Sequence, residues 1–126
     1  IMYIIVESNE PNAAMLLDVY HIYRGGSDFS GLKHVDGKAV QVLHMNDYPQ
    51  IPHQDIRDKD RVYVGDGVAP VTSILKTLLS TGFRGALSLE LFNPTYWADD
   101  IEHVLKKGLT SMRRAVEAIE QQATPE

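Results

Sequence analysis

The chain has 126 residues, 44% of them hydrophobic, no cysteine, and a net charge of −5 from 12 basic and 17 acidic side chains. The apolar share suits a folded chain and the length one compact unit, residues 1–126. Without cysteine there is no disulfide or thiolate chemistry; the scattered Lys and Arg form no patch for nucleic acid; and no apolar run nears the roughly 20 residues that span a bilayer, so the expected setting is the cytoplasm with neither nucleic acid nor membrane as partner.

From the N-terminal end, residues 1–8 carry strand-favouring side chains but sit where the tail of a preceding helix would lie, and both assignments stay open. After the turn signal Asn9-Glu10-Pro11-Asn12, a first apolar segment runs from Ala13 to Asp18. The stretch Ser27 to His34 has room for a short helix only. A second apolar segment, Ala39 to His44, follows Asp36-Gly37-Lys38, and a third, Ala86 to Glu90, follows Gly82-Phe83-Arg84-Gly85. All three are of strand length, bounded by turn residues, and nearly continuous rather than alternating, the pattern of parallel strands buried on both faces. Between the second and third, Val71 to Thr81 places Val71, Ile74, Leu75, Leu78 and Leu79 at helical spacing, with Pro70 at the first turn and Gly82 at the end. The same spacing returns from Asp99 to about Gln122, where Gly108 predicts a bend or a junction of two helices. Residues 45–69 show no element, and a loop of that length in a compact domain marks a functional or mobile segment. Strands alternating with helices predict an α/β fold with a parallel sheet.

Each predicted strand ends on a side chain able to ligate a metal: Asp18, His44 and Glu90. Carboxylate and imidazole suit a hard or borderline divalent cation, and in (β/α)8 barrels functional residues gather at the C-terminal ends of strands. Ordinary alternatives stand beside each. Asp18 also fits a capping role, and His44 a satisfied core histidine. Glu90, flanked by Leu89 and Leu91, is costly to bury unless paired. Arg61 lies among Asp58, Lys59 and Asp60, where a solvated charge run is the alternative. His21 fits either a bond to a loop carbonyl or contact with a substrate. Asp47 is expected as a turn residue rather than a partner of His44; His34, His53 and His103 as surface residues; Gly65 and Gly67 as turn formers rather than phosphate binders.

Four segments carry a more specific signal. Leu17-Asp18-Val19-Tyr20-His21-Ile22-Tyr23-Arg24-Gly25-Gly26 resembles the Asp-x-x-His segment of sugar isomerases and epimerases in the xylose isomerase-like TIM-barrel superfamily, such as the tagatose-3-epimerase and inositol-catabolism proteins. Val42-Leu43-His44-Met45-Asn46-Asp47 resembles their next strand, Asp60-Arg61-Val62-Tyr63-Val64-Gly65-Asp66-Gly67 their Arg-bearing loop, and Leu87-Ser88-Leu89-Glu90-Leu91-Phe92 their last strand. The likeness runs from about Pro11 to Ile119, and the order of the four motifs is what makes it specific.

The resemblance implies an α/β fold that is a partial (β/α)8 TIM barrel, about its last three strands with their helices. It implies that Asp18, His44 and Glu90 ligate one divalent metal ion, with Mn, Mg, Co and Zn not distinguished. Glu90 is then also a catalytic proton-transfer group, while His21 and Arg61 bind substrate and steady an enediolate. Phe92 and Trp97, by their position after the last strand, are expected to wall the pocket. The implied substrate is a small sugar or polyol, phosphorylated or not, and the implied activity is isomerisation or epimerisation. The alternatives are an inosose-type dehydratase and a non-catalytic half-barrel. A fourth ligand, a Glu on the preceding strand, is expected upstream of Asp18, and Glu7 and Glu10 stand too near Asp18 to supply it. The chain is therefore expected to be the C-terminal half of a barrel, completed by an N-terminal half or by a homo-oligomer that pairs open strand edges.

Overall fold

A computed structural model describes residues 1–123. Its elements are α1 (Met2–Ser8), β1 (Met15–Asp18), α2 (Val19–Arg24), β2 (Val40–Met45), α3 (Val71–Ser80), β3 (Ala86–Leu89), α4 (Pro94–Trp97) and α5 (Ile101–Ala123). Short 3-10 turns occupy Ser30–His34, Gly37–Ala39 and Asp58–Asp60. The strands form one parallel sheet in the order β1-β2-β3. Parallel neighbours need crossover connections, and the segments carrying α2 and α3 provide them.

The register explains why polar side chains collect in one place. Leu17 pairs with Leu43 and Leu43 with Leu87, a row that faces the helices. One step along, Asp18 pairs with His44 and His44 with Ser88. Successive strand residues alternate faces, so this row points away from the helical layer. On the helix side, Leu43 and Met45 pack with Ile74, Leu75 and Leu78 of α3 and with Ala115 of α5. Burying an apolar side chain of this size stabilises the fold by about 1.5–3 kcal/mol, which anchors the strands whose ends carry the polar row.

The observed boundaries correct several expectations. β1 begins at Met15, two residues later than expected; β2 runs one residue further, so His44 is its penultimate residue; β3 stops at Leu89, which leaves Glu90 just past its end. Residues 2–8 are helical, and Asn9 closes that helix in the left-handed region (φ 50°), its N–H donating to Val6 O. The helix α2 is new: Asp18 caps it by accepting the His21 N–H at 3.0 Å. The stretch expected as a short helix narrows to the 3-10 turn Ser30–His34. Asn93 and Pro94 start a separate short α4, and Asp100 accepts the His103 N–H at 3.0 Å, which delays α5 to Ile101. Gly108 is not a junction of two helices, since α5 continues through it. A side chain at 108 would strike Leu89, so the glycine lets α5 lie close on β3.

Residues 45–69 are ordered by their own hydrogen bonds. Asp47 and Val62 form an isolated antiparallel bridge, with N–H···O bonds of 3.0 and 2.9 Å. The Asp47 carboxylate, 1% exposed, accepts backbone N–H bonds from Tyr48 (2.8 Å), Gly65 (2.9 Å) and Ala69 (2.8 Å). Asp47 is thus a turn residue, and one that pins the whole return of the loop. Among the described residues no helix is long and apolar enough to cross a membrane.

Candidate active site

The strand ends bring Asp18, His44 and Glu90 together. His44 Nδ1 lies 3.3 Å from Asp18 Oδ2 and 3.3 Å from Glu90 Oε2. Glu90 is held beside β2 by its N–H, which donates to Met45 O at 3.3 Å. Asp18 is 5% exposed, and its Oδ1 accepts the His21 N–H and the Asn46 Nδ2–H at 3.0 and 3.2 Å. Asp18 thus meets its expected capping role through Oδ1, while Oδ2 faces His44.

Arg61 completes the cluster from the loop. Its Nη1 donates to Glu90 Oε2 at 2.7 Å and to Asp18 Oδ2 at 3.2 Å. Its Nη2 donates to Asp58 Oδ1 at 2.5 Å and lies 3.1 Å from His21 Nε2. The guanidinium carbon stands 4.3 Å from the Tyr20 ring centroid and 4.9 Å from that of Phe92, a cation between two aromatic faces. At 1% exposure Arg61 is no member of a solvated charge run. A buried cation is tolerable only when paired, and three carboxylates supply the pairing. Its Nε is buried without a hydrogen-bond partner. Burial, followed by the nearby Asp58 charge, pushes the Tyr20 phenol above its ordinary range, so this ring stays neutral.

Of the side chains singled out from sequence, Asp18, His21, His44, Arg61, Glu90 and Phe92 meet here. Trp97 is 67% exposed and stands edge-on to Phe92, with 6.5 Å between ring centroids. His34, His53, His103, Glu7 and Glu10 are exposed. Three participants were not anticipated: Asn46, Tyr20 and Asp58. Tyr20 and Asn46 lie inside the quoted motifs, and Asp58 stands one 3-10 turn before Arg61. The one signal in the sequence was an Asn standing directly after a predicted strand and its candidate ligand His44; its burial came only with the fold.

The donor set fits a divalent cation. Among the described residues Asp18, His21 and Glu90 offer ligand atoms within 4.8 Å of one another. His44 adds a further nitrogen donor, its Nδ1 lying 3.3 Å from both carboxylates. A positive group already bridges Asp18 and Glu90 in the form of Arg61 Nη1, so the pair demands positive charge. Carboxylate and imidazole donors suit Zn, Mn, Co or Mg alike.

Parallel strands joined through helices, with polar side chains at their C-terminal ends, form the pattern of a (β/α)8 barrel, here in part. The chain belongs to the xylose isomerase-like TIM-barrel family, whose model matches residues 1–115. It is 34% identical over 125 residues to an inosose isomerase of Halalkalibacterium halodurans, covering 98% of this chain and 43% of that protein. It is 29% identical over 126 residues to a 3-dehydroshikimate dehydratase of Pseudomonas putida, covering 94% of this chain and 20% of the relative. Among solved structures, the IolI protein crystallised with a bound zinc atom superposes with a TM-score of 0.87 at 29% identity, over 93% of this chain and 42% of that one. The chain thus spans about two-fifths of the length of the inosose isomerase it matches.

Proposed function

We propose that the protein of which this chain forms at least part is a metal-dependent isomerase or epimerase of a small sugar or polyol. The observation that carries the reading is the convergence of Asp18, His44 and Glu90 at three neighbouring strand ends, with Arg61 on the same carboxylate oxygens. The inosose isomerase relatives and the zinc-bearing IolI structure support it. Asp18, His44 and Glu90 would hold one divalent cation, which when bound polarises a substrate carbonyl and acidifies the adjacent C–H.

The chain's own side chains supply the remaining chemistry. Glu90 takes the proton from carbon, leaving an enediolate; isomerisation follows when the proton is delivered to the neighbouring carbon, and epimerisation when a second acid delivers one to the opposite face of the same carbon. Arg61, packed against Tyr20 and Phe92, sets a fixed positive charge beside the negative charge that develops on the substrate oxygens. At its contact with Arg61 Nη2, His21 Nε2 acts as acceptor, because a guanidinium can only donate. His21 therefore carries its proton on Nδ1 there. Phe92 covers Arg61 on one side and excludes water from it. The proposed setting is the cytoplasm.

The test is proton exchange at the substrate carbon in D2O, followed by NMR with an inosose as probe. Glu90→Gln is expected to slow exchange by about 10²–10⁴-fold, and wild-type exchange in that variant would remove Glu90 from the role. The dehydratase relative supports a second reading, in which the same groups eliminate water. Product mass separates the two, since elimination removes one water and isomerisation none. Absence of any turnover by the wild type would favour a binding module.

A further inference from the structure

Asn46 is fully buried immediately after β2, and its one amide reaches the ends of the two flanking strands and the start of α2. Its Oδ1 accepts the Tyr20 N–H at 2.8 Å. Its Nδ2 donates to Asp18 Oδ1 at 3.2 Å and to the Glu90 carbonyl at 3.4 Å. The neighbours dictate this orientation. A backbone N–H can only donate, whereas a carboxylate and a carbonyl can only accept, so the amide oxygen and nitrogen cannot be exchanged. A leucine of similar volume would serve neither side, and an ionised aspartate would set a carboxylate against Asp18.

We infer that Asn46 is a positioning residue for the cation site, an inference that rests on the metal-dependent reading above. Burying an amide costs free energy unless its hydrogen bonds are made. Here every bond it makes goes to a proposed ligand residue or to the helix start beside one. Through Nδ2 it fixes the rotation of Asp18, so that Oδ1 is engaged and Oδ2 is turned toward His44. Through the Glu90 carbonyl it sets the distance of the third strand end from the first. Groups that orient metal ligands in this way are worth about 10–100-fold in metal affinity.

The test is calorimetric titration of the purified protein with Mn²⁺, well below its melting temperature. Four proteins are compared: wild type, Asn46→Ala, Asn46→Ser and Ile74→Ala. Ile74 is 1% exposed in α3 and outside the site, so Ile74→Ala reports loss of stability alone. Asn46→Ala is expected to weaken Mn²⁺ binding about 10–100-fold, while Ile74→Ala lowers Tm and leaves the affinity at the wild-type value. If Asn46→Ala does not fold, Asn46→Ser carries the test, because its hydroxyl leaves a partner for the Tyr20 N–H but cannot reach both Asp18 and Glu90. Wild-type affinity in the Asn46 variants, with only Tm lowered, would make Asn46 a structural brace and overturn the inference. No Mn²⁺ binding by the wild type would instead remove the metal-dependent reading on which it rests.

Discussion

Two buried charged residues, Arg61 and Asp47, do different work. Arg61 is held by side chains: Asp18, Asp58 and Glu90 neutralise it, and Tyr20 and Phe92 clamp its plane. Asp47 is held by backbone, accepting N–H bonds from Tyr48, Gly65 and Ala69. Asp47 thus fixes the loop that delivers Arg61, and Arg61 meets the site. Asp47→Ala would take the acceptor from three backbone donors, of which the Tyr48 N–H is buried and costs about 1–3 kcal/mol when unpaired. We expect a loss of about 1–3 kcal/mol, read as a lower urea midpoint. Asp47→Asn should fall between, since Oδ1 keeps Tyr48 and Ala69 while the amide NH₂ opposes the Gly65 N–H.

Elements place these residues through close approach. The β2–β3 pair brings Gly85 against Gln41, where a methyl group would collide with the Gln41 backbone carbonyl. The glycine is there for space. Gly85→Ala should force the start of β3 away from β2 and cost about 1–3 kcal/mol, measured as a lower midpoint with unchanged denaturant slope. Retained stability would mean that the strand ends tolerate displacement. Gly108 plays the corresponding part for α5, which lies over Leu89 just before Glu90.

At the scale of the molecule, the sheet has two outer strands, β1 and β3. Apolar side chains stand uncovered on both flanks: Leu16 (45% exposed), Ile4 (68%) and Val6 (69%) toward β1, and Ile101 (72%), Leu105 (65%) and Leu109 (50%) along α5. Ile101, Leu105 and Leu109 recur every fourth residue and so share one helical face. Contiguous exposed apolar surface drives association. The 126 residues expressed by themselves should therefore self-associate with rising concentration in sedimentation velocity, and Leu105→Glu with Leu109→Glu should shift them toward monomer. A monomer at all concentrations in the parent chain would count against the outer faces as contact surfaces.

Local pattern was enough for the architecture. Continuous apolar segments before Asp18, His44 and Glu90, and the period of Val71 to Ser80, depend on neighbours within a few residues, and so did the motif order that pointed to the barrel family. The ends of elements were less legible, because caps such as Asp18 on α2 and Asp100 on α5 compete with the apolar period. Burial of polar side chains was not legible at all. Arg61 and Asp18 are 43 positions apart and Asn46 and Glu90 are 44 apart. Whether such a group is a solvated charge or a buried clamp depends on which distant chain segments pack over it, and that is a property of the folded whole.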